Sequence, residues 1–522
     1  MTSASQLARS VQAELVGSTS GADPDLTTAT IRAQDSVPGC LFAALPGSRV
    51  HGASFGLTAV DAGASAILTD QQGLDLLAPV VGRVPVLVHP RPRSVLGVIS
   101  AAVAGDPSTR LDVVGVTGTS GKTTTTYLIE AALAACGRVS GVIGTTGSRL
   151  DGRVLPTRLT TPEAPEFQAL LSGMHSGGAE VVAAEVSSHA LSLGRVDGTS
   201  FAVGAFLNLS QDHLDFHPDM EDYFRAKCRL FVTADTADTA GSTVSPAQRA
   251  VVVVDDEWGR RLLAMRPDSV SVSSDPRGRA DWTAGPSSTT ELGTQHFDVY
   301  APGGRTVGVE LPLLGRFNVA NALVALAVVD ALGGDLSAAA AGLAAVRVPG
   351  RLEPVIRGQD FRVLVDYAHK PGAVAAVVRS VRAQTEGRVA VVLGAGGDRD
   401  AGKRPLMGAA AAEVADLVVV TDDNPRGEDP ASIREAVREG ALSVAREGVR
   451  IEEIGDRGAA IAAAINWARK GDAVVIAGKG HETGQEVGGT VFPFDDRARA
   501  AAELDRRLAN TAPTGETEDS TS

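Results

Sequence analysis

The chain has 522 residues, with 48 Lys plus Arg against 62 Asp plus Glu, and its net charge of -14 disfavours a protein that coats nucleic acid and favours small-molecule partners. Its three cysteines, Cys40, Cys136 and Cys228, are far apart and odd in number, which excludes a disulfide scaffold or a metal knuckle and suits a reducing cytosol. No stretch reaches the ~18 apolar residues of a membrane span, and the start lacks a basic region followed by an apolar run, so a soluble cytoplasmic protein without membrane insertion is expected.

At ~100–200 residues per domain the length predicts about three domains. In chain order, CLFAAL (40–45), ASAILTD (64–70) and VPVLVHP (84–90) read as short strands punctuated by Gly and Pro, a small α/β domain over residues 1–108. After the turn-rich GDPSTR (105–110), LDVVGV runs as a buried strand into a Gly loop, and a helix is predicted from about Lys122 to Ala135. EVVAAEVSSHAL, VGAFLNLS and QRAVVVVDD continue the alternation, and the helical NVANALVALAVVDAL ends a central P-loop domain with a mostly parallel sheet over 109–347. FRVLVD, RVAVVLG, ADLVVVTD and DAVVIAG are then the β runs of a Rossmann-like, doubly wound domain over 348–506. Polar residues follow each run, as DYAHKP, GAGGDRD, TDDNPRGED and GKGHE, and ligands of open parallel sheets sit at strand carboxyl ends, so these loops are expected to line one site. Residues 507–522 are polar and acidic and read as a disordered tail. The fold class is therefore α/β, without internal repeats.

Gly118-Thr119-Ser120-Gly121-Lys122-Thr123-Thr124 joins a strand to a helix, the context in which backbone N–H groups and a helix N-terminus hold a phosphate. Lys122 then faces the β/γ-phosphates and the Thr123 hydroxyl a Mg²⁺ ion, although Val116 stands where a full Walker pattern has its first Gly. Glu185 ends the run VVAAEV, where a carboxylate suits a Mg²⁺ contact, and Asn208 to Asp215 adds His213 and two carboxylates beyond the next apolar run. Lys227 falls on the apolar stripe of Met220, Tyr223/Phe224 and Leu230/Phe231. Burial there would favour a neutral amine able to capture CO₂ as a carbamate; the plainer alternative is a lysine paired with Glu221 or Asp222.

Together with Thr160-Thr161-Pro162-Glu163, Glu185-Val-Ser-Ser-His189, Gly315-Arg-Phe-Asn318, Gly350-Arg351, Asp366-Tyr-Ala-His369 and Asp423-Asn-Pro-Arg426, these residues resemble the Mur ligase family over nearly the whole chain, and within it the MurE type that adds the third residue of the peptidoglycan stem. The resemblance implies an N-terminal domain for a uridine nucleotide, a central ATPase and a C-terminal domain for the incoming amino acid. It implies that Lys122 holds the transferring phosphate, that Thr123 and Glu185 serve one Mg²⁺ and that His213 with carbamylated Lys227 serves a second. Asn318, Arg351 and Asp366 match positions around the adenine, phosphates and ribose of ATP, with His369 beside them. Thr160, Thr161, Ser187 and Arg195 match positions for the UDP-N-acetylmuramoyl-L-alanyl-D-glutamate substrate. One departure is Arg32-Ala33-Gln34, where the family usually has Asp-Ser-Arg, so no uridine contact is assigned there.

The implied reaction is an ATP-dependent amide ligation through an acyl phosphate. A guanidinium at Arg426 can take a carboxylate bidentately, and meso-diaminopimelate carries a distal carboxylate that L-lysine lacks. The resemblance assigns Asp423, Asn424 and Arg426 to this amino acid, with Arg399 on a carboxylate and the Gly478 carbonyl and Glu482 on the distal ammonium; a turn arginine paired with Glu428 or Asp429 is the plain alternative. The chain is expected to act as a monomer. Competing readings are a lysine-adding or other sibling Mur or folylpolyglutamate-type ligase, and a P-loop regulator without ligase activity.

Overall fold

Three parallel-rich sheets, each wrapped by helices, organise the computed structural model, which describes residues 2–17, 23–155, 157, 159–233, 245–290 and 293–511. The first has the strand order Glu14–Val16, Val86–Val88, Ala64–Thr69, Cys40–Ala43, Thr28–Thr30, parallel except for its antiparallel first strand.

The central sheet runs parallel through Ser140–Ile143, Val181–Glu185, Asp112–Thr117, Phe201–Phe206, Arg249–Val253, Val270–Ser273 and Trp282–Ala284. Both faces are covered, as a near-continuous Val/Ala run requires. Val114 and Val116 pack with the helices Lys122–Ala135 and Arg316–Ala331, while Val113 faces the opposite cluster with Phe167 and Phe224. Antiparallel hairpins close the two ends, Ser148–Leu150 with Arg153–Leu155 and Gln295–Ala301 with Arg305–Leu311. The strand Asp112–Thr117 lies between Val181–Glu185 and Phe201–Phe206, so the chain winds away from it in both directions and a crevice opens at its carboxyl end.

The third sheet has the order Glu353–Pro354, Arg362–Asp366, Ala473–Ala477, Val389–Leu393, Leu417–Val420, Arg450–Glu453, with only the first strand antiparallel. Its four predicted strands are mutual neighbours. Val389, Val391 and Leu393 face the helices Pro371–Arg382, Lys403–Ala412 and Pro430–Val444, and Ala390 and Val392 face Arg457–Trp467 and Asp496–Thr511.

Two local differences from the sequence reading have clear causes. The helix carrying Lys227 spans Met220–Cys228, so Leu230 and Phe231 fill the core from the turn after it. The last helix runs to Thr511, five residues into the segment read as a tail, because Ala500, Ala501 and Leu504 anchor it on the sheet; the rest of that segment lies outside the described residues.

Candidate active site

The phosphate loop occupies the crevice at the end of Asp112–Thr117. Gly121 has φ 90°, and a Cβ there would lie 2.7 Å from Asn321 Oδ1, so both the turn and the close approach require glycine. Asn208 clamps the loop, accepting from the Ser120 N–H at 3.0 Å and donating to its carbonyl at 3.1 Å. Lys122 Nζ donates to the carbonyls of Gly118 (2.8 Å) and Thr119 (3.2 Å). Burial, reinforced by the nearby Lys370 charge, lowers its pKa to about 8. Asn318 is buried behind the loop, donating to Leu314 O at 2.8 Å and accepting from Asn321 at 3.0 Å.

Beside the loop, buried Glu185 accepts from the Thr145 N–H at 2.9 Å and the Thr145 hydroxyl at 3.0 Å. Thr145 also meets Thr160 at 3.0 Å, and the Thr161 hydroxyl donates to Glu185 O at 2.7 Å and accepts from the Ser187 N–H at 3.1 Å. Ser187 caps the helix Ser188–Ser192. Arg195 pairs with Glu163 at 2.8 Å, and Glu163 also binds Arg93 at 3.1 Å, which ties this wall to a helix of the N-terminal unit.

His213 stands in the left-handed region, φ 55°, uncommon for a residue with a side chain, and pairs with buried Asp212 at 2.9 Å. Burial lowers the His213 pKa against the pull of Asp212. Asp212 is opposed by burial, yet its bond to His213 and the Lys370 ammonium, 2.6 Å away, hold its carboxyl well below the usual range. Lys227 lies beneath the loop, 1% exposed. It donates to Gly118 O at 3.1 Å and sits 4.6 Å from the centre of the Tyr223 ring. Its expected alternative partners are engaged elsewhere, Glu221 with Arg261 and Asp222 with His217. Burial, then the Lys122 and Lys370 charges, push its pKa well below the ordinary lysine value. His213 and Lys227 both border Tyr223, whose ring centre lies 6.1 Å from the His213 ring and 4.6 Å from Lys227 Nζ.

The loops of the third sheet form the opposite wall. Arg351 donates to the Thr123 hydroxyl at 3.2 Å and stacks 4.5 Å from the Tyr367 ring centre, joining the two units directly. Asp366 accepts from the N–H groups of Leu352 and Ala368, each at 2.7 Å; burial raises its pKa against Arg351 and these bonds. His369 Nδ1 lies 2.8 Å from Tyr367 O, and burial with the Lys370 charge lowers its pKa to about 3, leaving a neutral ring.

Further along this wall, Asn424 donates to Glu482 at 3.0 Å and accepts from buried Lys479 at 2.7 Å, while Lys479 lies 3.5 Å from Asp423. Burial and Asp423 raise the Glu482 pKa. Gly478 has φ 120°, and a Cβ there would meet Asp423 Oδ2 at 2.5 Å. Arg426, at φ 52°, donates to Glu486 at 3.2 Å and to Gly397 O at 2.8 Å. Neither acid of the plain alternative takes it, because Glu428 pairs with Arg404 and Asp429 caps the helix Pro430–Val444. Arg399 is exposed at the rim.

These walls enclose a cleft of about 880 Å³ lined by Ser120, Lys122, Thr123, Thr124, Thr160, Thr161, Glu185, Ser187, Arg195, His213, Asn318, Arg351, Asp366, His369, Arg399, Asp423, Asn424, Arg426, Gly478 and Glu482. Gly118 and Lys227 lie behind its surface. Sequence reasoning did not single out Thr145 or Lys403 and held Lys370 only as part of the loop DYAHKP; all three also line it. Thr145 and Lys370 each follow a strand closely, the one signal that could have found them.

A glycine-rich loop at a topological switch point, facing polar loops from a second parallel sheet across one cleft, defines a multidomain P-loop α/β protein. The Mur ligase middle domain matches residues 116–329, and the Mur ligase glutamate ligase domain matches residues 350–480. The chain is 49% identical to the UDP-N-acetylmuramoyl-L-alanyl-D-glutamate--2,6-diaminopimelate ligase of Corynebacterium glutamicum, covering 97% of this chain and 96% of that protein. It is 51% identical to the protein of the same name from Corynebacterium efficiens, covering 96% and 94%. A solved structure of a UDP-N-acetylmuramoyl-L-alanyl-D-glutamate--2,6-diaminopimelate ligase superposes with a TM-score of 0.64 at 30% identity, covering 92% of this chain and 95% of that one. The chain belongs to the Mur ligase family.

Proposed function

We propose that this protein is an ATP-dependent peptide synthase that joins meso-diaminopimelate to UDP-N-acetylmuramoyl-L-alanyl-D-glutamate in peptidoglycan precursor synthesis. The observation that carries this reading is near-full-length identity of about half to two ligases of that name, and the meeting of the phosphate loop with the Asp423–Arg426 loop in one cleft supports it. No described helix is long and apolar enough to cross a membrane, and a reaction consuming ATP suits the cytoplasm. The three-domain division near residues 108 and 347 is supported by one large sheet in each part, beside a two-stranded ribbon in the first and the third.

In this reading Gly118 to Thr124 hold the nucleotide phosphates through backbone N–H groups, and Lys122 donates to the γ-phosphate. Asn318, Arg351, Asp366 and His369 bind the rest of ATP. The hydroxyl of Thr123 and the buried carboxylate of Glu185 are hard oxygen donors beside the phosphate loop, a set that fits Mg²⁺. His213 and carbamylated Lys227 are assigned to a second ion, and a buried amine with no carboxylate in ion-pair reach among the described residues supports that modification. Bound magnesium neutralises charge on the phosphoryl group.

Thr160, Thr161, Ser187 and Arg195 orient the muramoyl dipeptide so that its carboxylate faces the γ-phosphorus. The resulting acyl phosphate makes the carbon electrophilic. The amine of diaminopimelate attacks it uncharged, and phosphate departs. Arg426 and Arg399 take carboxylates of the amino acid, while Asp423, Asn424, Glu482 and the Gly478 carbonyl frame its ammonium end.

The test is phosphate release with ATP, Mg²⁺ and UDP-N-acetylmuramoyl-L-alanyl-D-glutamate, comparing meso-diaminopimelate, L-lysine and no amino acid. Release with an amide product only for diaminopimelate is expected. Preference for lysine would overturn the specificity, and no product with either would overturn the ligase assignment.

A further inference from the structure

Two lysines from different sheets meet at the phosphate loop. Lys122, on the loop's own helix, and Lys370, on the loop that follows the strand Arg362–Asp366, both donate to the carbonyl of Thr119, at 3.2 and 3.1 Å. Lys370 is buried, and Asp212, 2.6 Å away, is the carboxylate in ion-pair reach of it. Arg351 reaches Thr123 of the same helix and Lys403 lines the same cleft, so the third sheet brings further cations to a cleft whose loop already carries its own lysine. Two ammonium groups, Lys370 buried and Lys122 half-buried, sharing one neutral oxygen repel each other, and an anion between them relieves the repulsion.

We propose that Lys370 is a further catalytic residue that contacts the γ-phosphoryl group, carried into the ATP site by the C-terminal sheet, with Asp212 as its counter-ion before nucleotide binds. The inference rests on the ATP-dependent ligase reading above. In the first half-reaction a substrate carboxylate oxygen bonds to the γ-phosphorus as the bond from phosphorus to the β,γ-bridging oxygen breaks, its electron pair leaving on ADP. Lys370 keeps its proton throughout and donates to an equatorial phosphoryl oxygen, where charge is spread in the transition state. Because this donor belongs to the C-terminal sheet, transfer is efficient only when that sheet, which also carries the amino-acid loops, stands against the phosphate loop.

The experiment compares full-length wild type, Lys370→Ala and Lys370→Arg, measuring calorimetric affinity for ADP and for a non-hydrolysable β,γ-methylene ATP, with steady-state turnover alongside. For Lys370→Ala, analogue affinity is expected to fall about tenfold or more and kcat on the order of 100-fold, as for loss of one preorganised donor, while ADP affinity stays within about twofold. Lys370→Arg should keep most of the analogue affinity, and its ADP binding reports an intact fold. Equal loss of ADP and analogue binding, or a kcat within about twofold of wild type, would overturn the proposal. Should wild type bind both nucleotides but form no amide, the ligase reading fails, and the analogue-to-ADP comparison still decides whether Lys370 contacts the γ-phosphate.

Discussion

Replacing Arg457 by Met should destabilise the C-terminal unit and loosen together the two loops proposed to hold the amino acid. Arg457 and Asp496 are both fully buried, joined by two bonds of 2.7 Å, from Nε to one carboxylate oxygen and from Nη2 to the other. The guanidinium also donates to Ala477 O at 3.0 Å and to Asp422 O at 3.4 Å, the residues just before Gly478 and Asp423. Removing one partner of such a buried pair costs about 3–5 kcal/mol, because the other charge is left without compensation. For a unit of this size each kcal/mol lowers the transition by roughly 2–4 °C, so calorimetry should find the C-terminal transition lower by roughly 6–20 °C. Replacing both members by apolar residues of similar volume should recover much of the loss, since two desolvated charges are then absent. In binding assays Arg457→Met should weaken diaminopimelate more than ATP. A fall of less than about 3 °C, or a double variant no more stable than the single, would refute the argument.

Four further outcomes are expected. With a Lys122 pKa of about 8 in the free protein, polyphosphate binding should restore its charge and take up protons near and above that pH; affinity for ATP should fall as pH rises through that value, and a binding enthalpy at pH 8.5 that is the same in buffers of different ionisation heat would contradict this. The same lysine destabilises the folded state below about pH 8, where it is a buried cation, and the penalty is relieved as pH rises from there toward its unfolded value of 10.5. Lys227→Ala should lose on the order of 100-fold or more in kcat with partial rescue by short carboxylates; unchanged activity, or loss with neither rescue nor bicarbonate dependence in the wild type, would count against the carbamate. Arg426→Ala should lose roughly 10- to 100-fold in kcat/KM for diaminopimelate with ATP binding retained, whereas equal loss for both would show that the loop serves another purpose.

The helix Lys122–Ala135 begins and ends where its pattern predicts, since the Gly loop before it admits no other continuation. The four Val-rich strands of the third sheet were equally legible, because a strand buried on both faces writes an unbroken apolar run. The edge strand Arg450–Glu453 was not: its sequence RIEE is half solvated and has too few apolar positions to show a period. Nor were the partners of Lys227 and Arg426 legible. Helical spacing offered Lys227 the neighbouring acids Glu221 and Asp222, and the turn offered Arg426 the acids Glu428 and Asp429, yet each of those acids is claimed by another residue of its own surroundings.

The chain by itself determined the α/β class, the order of its strands and helices, the phosphate loop and the polar loops at strand ends, because these follow from local periodicity and backbone preference within a few residues. Only the tertiary structure decided that Arg351 reaches Thr123, that Arg457 and Asp496 pair beneath the loops beginning at Asp422 and Gly478, and that Lys370 lies against Asp212 and Thr119. Lys370 and Thr119 are 251 positions apart in the chain. The first and last of these contacts join groups on separate sheets and the second joins two helices on one sheet, and their strength depends on shared burial and the local dielectric, which belong to the packed molecule and to no segment of it.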